Sequence, residues 1–259
     1  MQLDDCEVRL ASNADGLDQD EEWILLTSEN RCERIRLHDY GKIYEIPGLY
    51  EEVVYNRLKC ESPQVISTML KKELEKSPSH SDDLRVLDFG AGNGIAGECI
   101  AEEIGCNALV GVDIVTEAVS ATDRDRPGLY DDYYVMDLSE IRKEEQRQLM
   151  QWNFNALITV SALGYGDIPS RAFVCAYNLL ENDAWIAFNI KDRYLDEADD
   201  SGFKDMLDNM FEGSLSVLQK KSYRHRFSMS GKSLHYVAIV GKKVRDTDLA
   251  GNDRIGDPH

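Results

Sequence analysis

Residues 86–97 read VLDFGAGNGIAG, and this stretch decides the fold. A short apolar run that contains Asp88 leads into a glycine-rich turn, and a helical pattern follows. Glycine permits positive φ values and lets backbone N–H groups and a helix N-terminus approach a bound ligand closely. The positions of Gly90, Gly92 and Gly94 therefore predict a strand, a ligand-binding turn and a helix. The alternative is a strand-to-helix loop that binds nothing.

The next part of the chain repeats this layout. Four further short apolar runs, mostly separated by helical patterns, cover residues 109–113, 134–137, 156–161 and 184–189. Alternating strands and helices predict a parallel sheet with helices packed on it. Asp88, Asp113 and Asp137 all fall at or near strand ends, and ligands of such sheets bind beyond the carboxyl ends of the strands. We therefore expect these three acids at one ligand site.

The last strands have a different pattern. Residues 217–229 are mixed but strand-like, Ser230 and Gly231 form a turn signal, and residues 234–240 are strongly apolar. This pattern predicts an antiparallel hairpin. The predicted fold class is therefore α/β: a doubly wound, mostly parallel seven-stranded sheet with a C-terminal antiparallel hairpin and an N-terminal helical lid.

Two cofactor classes compete for the glycine turn. Residues 92–97 formally match G-x-G-x-x-G, and Asp113 lies at a suitable distance for a ribose contact, as in NAD-binding domains. Asp88 argues against NAD, because a carboxylate before the first glycine would face the pyrophosphate. It suits a ligand that carries an ammonium group.

The pattern Asp-x-Gly-x-Gly-x-Gly, with an acid at the end of each of the next two strands, resembles the class I S-adenosylmethionine methyltransferases. The resemblance covers about residues 62–242, including the C-terminal hairpin. It implies that the methionine moiety lies on Asp88 and its turn, the ribose on Asp113 and the adenine near Asp137. The cofactor-binding residues that it implies are Tyr50, Asp88, Gly90, Gly92, Asp113, Ile114, Met136, Asp137, Leu138 and Ser161.

A tyrosine-rich segment precedes the first strand of the sheet. Tyr40, Tyr44, Tyr50 and Tyr55 surround a Pro-Gly pair at residues 47–48. Many small-molecule methyltransferases have a similar leader that folds over the cofactor as a lid, and the alternative is permanent packing. Together with SALGYGDIP at 161–169 and AFNIK at 187–191, the segment resembles the branch typified by the Williams–Beuren-region methyltransferase.

The predicted organisation has four parts. We expect an acidic, flexible leader over residues 1–35, a helical lid over 36–61, the methyltransferase domain over 62–242 and a flexible tail over 243–259.

Composition excludes several classes of function. The 259-residue chain has a net charge of −19, which disfavours nucleic acid, because such binding depends on phosphate neutralisation. It has no apolar run long enough for a membrane span and no signal pattern, so we expect a cytoplasmic protein. The six cysteines form no C-x-x-C pair, which predicts reduced thiols and no metal site. One basic cluster, residues 220–226, is interpreted as a solvated edge strand or as an anion-binding patch.

The acceptor side of the site is less defined. After the fourth strand the chain lacks the acid/Asn-Pro-Pro-aromatic motif of enzymes that methylate exocyclic base amines. Weak catalytic candidates are Tyr165, Asp167 and His235, and further substrate-side candidates are Lys191, Asp192 and Arg193. Positioning accounts for much of the acceleration in methyl transfer, so a general base is optional. The expected function is S-adenosylmethionine-dependent methylation of a small molecule; the alternatives are an NAD(P)-dependent oxidoreductase and a non-catalytic binding partner.

Overall fold

The computed structural model describes residues 3–11, 16–29, 31–77, 83–164 and 167–248. In chain order, the strands are β1 (Glu7–Leu10), β2 (Trp23–Ser28), β3 (Arg31–Arg36), β4 (Arg85–Phe89), β5 (Ala108–Asp113), β6 (Asp132–Val135), β7 (Ala156–Thr159), β8 (Trp185–Lys191), β9 (Leu215–Phe227) and β10 (Ser233–Lys243). The α-helices are α1 (Tyr40–Glu45), α2 (Ser62–Leu74), α3 (Ile95–Glu103), α4 (Thr116–Asp125), α5 (Lys143–Met150), α6 (Ser170–Asn178) and α7 (Phe203–Gly213).

Seven strands form the central sheet, in the order β6-β5-β4-β7-β8-β10-β9. The first five run parallel, and β10 pairs antiparallel with both β8 and β9. The predicted seven-stranded sheet and its C-terminal hairpin are confirmed. Strand order reverses between β4 and β7, and in doubly wound sheets this switch point is where ligands bind.

Helices cover both faces of the sheet, and successive side chains of a strand point to opposite faces. On β4, Leu87 joins a core that includes side chains of α6 and α7, whereas Val86 joins a core formed with α2 and α3. The runs at 109–113, 156–161 and 184–189 therefore contain strands buried on both sides, whereas β6, at the edge of the sheet, is only partly buried.

The N-terminal part differs from the flexible leader expected over residues 1–35. Here β1, β2 and β3 form a separate antiparallel sheet. Ile24 and Leu26 of β2 and Ile35 of β3 are almost fully buried. They pack against a helical turn of π type, Glu51–Arg57, that follows α1. The many acids of residues 1–22 suggested disorder, whereas β2 alternates buried and partly buried residues.

The C-terminal boundary also differs from the expected one. The predicted tail begins at residue 243, but Lys243 is the last residue of β10 and is 1% exposed. Its ammonium group donates to the carbonyls of Tyr177 (3.1 Å) and Leu180 (2.6 Å) at the end of α6, and it pairs with Asp246 (2.6 Å). Lysine at a helix C-terminus satisfies carbonyls that have no partner within the helix. Residues 249–259 of the predicted tail lie outside the described residues.

Two features, a membrane-spanning helix and a metal-binding cluster, are absent from the described residues. No helix in these ranges has the length and apolar character needed to cross a membrane. Nor do these ranges contain a group of three or more His, Cys, Asp or Glu side chains placed to hold a metal ion.

Candidate functional site

A cavity of about 490 Å³ lies at the carboxyl ends of β4, β5 and β7. We call residues 38–57, which include α1, the roof segment, because His38, Tyr40, Tyr44 and Tyr50 line this cavity opposite the sheet. The predicted site residues on its wall are Tyr50, Gly90, Asp113, Ile114, Met136, Asp137, Leu138, Ser161 and Asp167. The structure thus brings together residues from five separate stretches of the sequence.

The glycine turn leaves no room for side chains. Gly90 has φ +76°, and a Cβ there would lie 2.7 Å from the Cβ of Ala162. Gly92 has φ +56°, and a Cβ there would collide with the hydroxyl of Tyr44. Both glycines are therefore needed for backbone conformation and for close packing. Gly90 is on the cavity wall, and Gly92 lies beneath Tyr44.

Hydrogen bonds join Gly92 to the neighbouring strands. Its N–H donates to Asp113 Oδ2 (2.8 Å), and its carbonyl accepts from the hydroxyls of Tyr133 (2.7 Å) and Thr122 (3.0 Å). The other oxygen of Asp113 accepts from the N–H of Val115 (2.9 Å). Burial raises the pKa of Asp113. Each carboxylate oxygen can accept a second hydrogen bond, so Asp113 retains capacity for a ligand.

Asp88 occupies a different place from the one predicted. It is fully buried and is not part of the cavity wall in the described ranges. Its Oδ2 accepts from the hydroxyl of Tyr130 (2.7 Å), and its Oδ1 has no hydrogen-bond partner among the described residues. Burial raises its pKa to about 7, and the nearby Asp113 also acts in this direction, against the bond from Tyr130. Asp88 therefore supports the turn from behind.

The far end of the cavity follows β5 and β6. Asp137 comes just after β6, and its Oδ1 accepts from the N–H (2.8 Å) and the hydroxyl (2.6 Å) of Ser139. Ile114 follows β5, and although it lines the cavity it is 56% exposed. This end offers an open aliphatic surface beside a carboxylate, which suits a planar ring with an amino group.

The roof segment contains a cluster of tyrosine rings. The ring centroids of Tyr44 and Tyr50 are 5.3 Å apart, and those of Tyr40 and Tyr44 are 5.9 Å apart. Burial raises the pKa of all three hydroxyls above the ordinary tyrosine value, so they stay protonated at neutral pH. The cluster therefore gives the cavity a neutral, largely aromatic roof.

Charged groups fasten the roof segment to the glycine turn. Glu51 pairs with Arg126 (2.8 Å) and accepts from the side-chain amide of Asn93 (3.3 Å). Arg126 also pairs with Glu98 of α3 (2.9 Å) and donates to the carbonyl of Asn93 (3.1 Å). The neighbours Tyr50 and Glu51 therefore have separate contacts: the tyrosine lines the cavity, and the carboxylate pairs with Arg126.

Ser161 follows β7 and has a strained backbone, with φ +60°. Its N–H donates to the side-chain oxygen of Asn189 (2.6 Å), and its buried hydroxyl makes no hydrogen bond within the described ranges. Strained non-glycine residues cost about 1–3 kcal/mol and cluster at functional sites. Ser161 lines the cavity, but its hydroxyl is buried beneath the wall.

The weak catalytic candidates differ in their position relative to the cavity. Asp167 lines the cavity, and Nδ1 of His38 lies 3.1 Å from one of its carboxylate oxygens and 3.4 Å from the other. His235 lies exposed on β10, away from the cavity wall. Tyr165 lies outside the described residues. Lys191 and Arg193 pair with Asp18, at 3.6 Å and 2.5 Å.

A second cavity, of about 30 Å³, adjoins the first and shares part of its wall. It is lined in part by Gln19, His225, Arg226 and Tyr236, none of which was predicted as a site residue. His225 and Arg226 belong to the basic cluster 220–226, whose Lys220 and Lys221 are exposed. Only part of that cluster is therefore a solvated strand face. Strand alternation could not have indicated this, because His225 and Arg226 are adjacent and both buried at a register shift between β9 and β10.

Solved structures of methyltransferases resemble this fold. The N-methyltransferase NodS from Bradyrhizobium japonicum, in complex with S-adenosyl-L-homocysteine, is 13% identical, with a TM-score of 0.54 over 80% of this chain and 97% of that chain. A candidate RNA methyltransferase from Pyrococcus horikoshii is 14% identical, with a TM-score of 0.50 over 71% and 87%. A candidate sarcosine dimethylglycine methyltransferase from Galdieria sulphuraria is 15% identical, with a TM-score of 0.50 over 70% and 86%.

The comparisons support the fold at a coarse level. No family model matches the sequence, and no curated protein matches it. The TM-scores of 0.50–0.54 show that the chain has the Rossmann-like fold of class I S-adenosylmethionine methyltransferases, and at identities of 13–15% they show the fold alone. They leave the acceptor to be argued from the site.

Proposed function

We propose that this protein binds S-adenosylmethionine and transfers its methyl group to a small molecule. The observation that carries the proposal is the shared cavity of Gly90, Asp113 and Asp137, at the ends of three neighbouring strands. This is the arrangement that the sequence resemblance predicts for one extended nucleoside ligand. NodS, which has the same fold, was solved with the demethylated form of this cofactor.

The residues of the cavity fit the ligand part by part. Asp113 is held where it can accept from the ribose hydroxyls, and Asp137 where it can accept from the adenine amine. The backbone at Gly90 forms a floor without side chains for the methionine moiety, beside Ser161. When bound, the cofactor supplies a methyl group activated by a sulfonium. The protein binds and orients both partners and excludes water.

A small-molecule acceptor agrees with the charge and with the roof of the cavity. The net charge of −19 opposes a nucleic-acid substrate. The roof segment and its tyrosines line the cavity opposite the sheet, so an acceptor has to fit beneath them. The likeness to the Williams–Beuren-region branch would agree with such an acceptor, and it stays a prediction.

Titration calorimetry with S-adenosylhomocysteine and with NAD⁺ tests the proposal. We expect the first ligand to bind and the second not to bind, because the N–H of Gly92, in the turn where a pyrophosphate would lie, already donates to the Asp113 carboxylate. The reverse result would favour an oxidoreductase. A binding protein without activity would bind S-adenosylhomocysteine yet fail to transfer radiolabelled methyl groups to any metabolite fraction.

The variant Asp137→Asn should bind S-adenosylhomocysteine less tightly, with a smaller loss than that of Asp113→Ala. The amide keeps the shape of the side chain and one acceptor oxygen, but it loses the charge that strengthens a bond from the adenine amine. Calorimetry of the two variants side by side measures the difference. If Asp137→Asn bound S-adenosylhomocysteine as tightly as the wild type or more tightly, the adenine would not lie on Asp137.

The roof segment should act as a lid. We expect its amides over residues 40–56 to exchange hydrogen quickly without ligand and slowly with S-adenosylhomocysteine, because ligand binding adds contacts under Tyr40, Tyr44 and Tyr50. Hydrogen exchange followed by mass spectrometry measures both states. Strong protection in both states would make the tyrosines permanent core residues.

A further inference from the structure

We propose that His38 is the general base of the methyl transfer, that Asp167 positions it, and that the acceptor is a phenol. The inference rests on the proposed function and adds to it a catalytic residue and a substrate class. Of this pair only Asp167 is a candidate from the sequence, and neither the fold nor the resemblance assigns a role to His38.

The geometry is that of a histidine oriented by a carboxylate. His38 Nδ1 faces both oxygens of Asp167, at 3.1 Å and 3.4 Å. The two side chains are 13% and 24% exposed, so the pair is largely shielded from water. Both residues line the main cavity and also the small one, and they therefore lie at the junction of the two.

This contact decides which nitrogen can act. A carboxylate beside Nδ1 favours the tautomer in which Nδ1 carries the proton, and Nε2 then holds the lone pair. A proton taken up by Nε2 produces an imidazolium, which the charge of Asp167 stabilises. The same division of roles between a base and its orienting acid occurs in serine hydrolases.

The need for a base points to the acceptor class. Carboxylic acids ionise without help at neutral pH, and an amine exposes its lone pair once it has released a proton to water. A phenol is a weak nucleophile until its O–H proton leaves, and unlike an aliphatic alcohol it is acidic enough to give that proton to an imidazole, so a phenol suits a histidine base. The shared wall of the two cavities includes the rings of Tyr40 and Tyr50, which can pack against an aromatic acceptor.

The methyl transfer forms one bond and breaks another at the methyl carbon. The acceptor oxygen forms a bond to the methyl carbon while the bond between that carbon and the sulfonium breaks, and its electron pair stays on sulfur. The phenolic proton moves to Nε2 of His38. The products are an aryl methyl ether, a neutral thioether and an imidazolium beside Asp167, which later releases its proton to water.

The probe for this proposal is 4-nitrophenol, because its phenolate absorbs visible light and its phenol does not. The protein is saturated with S-adenosylhomocysteine and titrated at a pH at which most of the free probe is protonated. We expect the phenolate band to increase on binding. His38→Gln should lower the bound phenolate fraction at least tenfold, Asp167→Asn should lower it in part, and Glu102→Gln, an exposed control on α3, should leave it unchanged.

Each outcome supports or overturns a separate claim. If S-adenosylhomocysteine does not bind, the proposed function is wrong, and this inference fails with it. If it binds but 4-nitrophenol does not, the phenol class is wrong. If the probe binds and His38→Gln ionises it as well as the wild type does, His38 is not the base. With labelled S-adenosylmethionine, loss of the base should slow methylation of the probe about 100-fold.

Discussion

The variant Asp113→Ala should bind S-adenosylhomocysteine at least tenfold more weakly than the wild type. Hydrogen bonds to a charged group contribute about 1.5–3 kcal/mol each, and about 1.4 kcal/mol corresponds to a factor of ten in affinity. Two bonds from ribose hydroxyls to this carboxylate would exceed that factor. Titration calorimetry at fixed salt measures the dissociation constants.

Asp113 also holds the backbone, so the variant needs controls. Its oxygens accept from the N–H groups of Gly92 and Val115, and their loss could disturb the turn. Circular dichroism and thermal unfolding establish whether the variant is folded. Asp123→Ala removes an exposed acid from the same region, on α4, and should bind like the wild type. Unchanged affinity in folded Asp113→Ala would show that the ribose does not lie on this residue.

The sequence allowed the central sheet to be predicted because each of its inner strands is a short apolar run between helical patterns. Asp113 and Asp137 could be predicted with it, since the ends of parallel strands meet at one edge of a sheet. Each of these two acids ends or follows an apolar run in the sequence and lies on the cavity wall in the structure. Asp88 shows the limit of the same rule, because whether its carboxyl faces the ligand or Tyr130 depends on packing behind the turn.

The N-terminal sheet and His38 could not be predicted in the same way. β2 contains the apolar run Trp23–Leu26, which is itself a strand signal, whereas Ile35 of β3 is flanked by arginines, and the burial of both strands depends on a second segment that covers them. His38 and Asp167 are 129 residues apart, so no spacing rule joins them. Their contact exists only because the roof segment docks over the carboxyl end of the sheet.

One buried ion pair fastens the N-terminal sheet to the central one. Glu22, just before β2, and Arg226, on β9, are each 3% exposed and lie 2.7 Å apart. The second carboxylate oxygen of Glu22 accepts from the N–H of Met229 (2.6 Å). Both oxygens of the carboxylate are therefore engaged, and one of its partners is a buried cation.

The variant Glu22→Ala should lower the free energy of unfolding by about 3–5 kcal/mol, because removing one partner of a buried pair leaves an uncompensated charge. Urea unfolding measures the change. Glu102→Ala, on an exposed position of α3, should change it by less than about 0.5 kcal/mol. Adding Arg226→Ala should restore part of the loss, since the stranded cation is then gone. A loss below about 1 kcal/mol would mean that the two sheets are held together by apolar packing, with the ion pair contributing little.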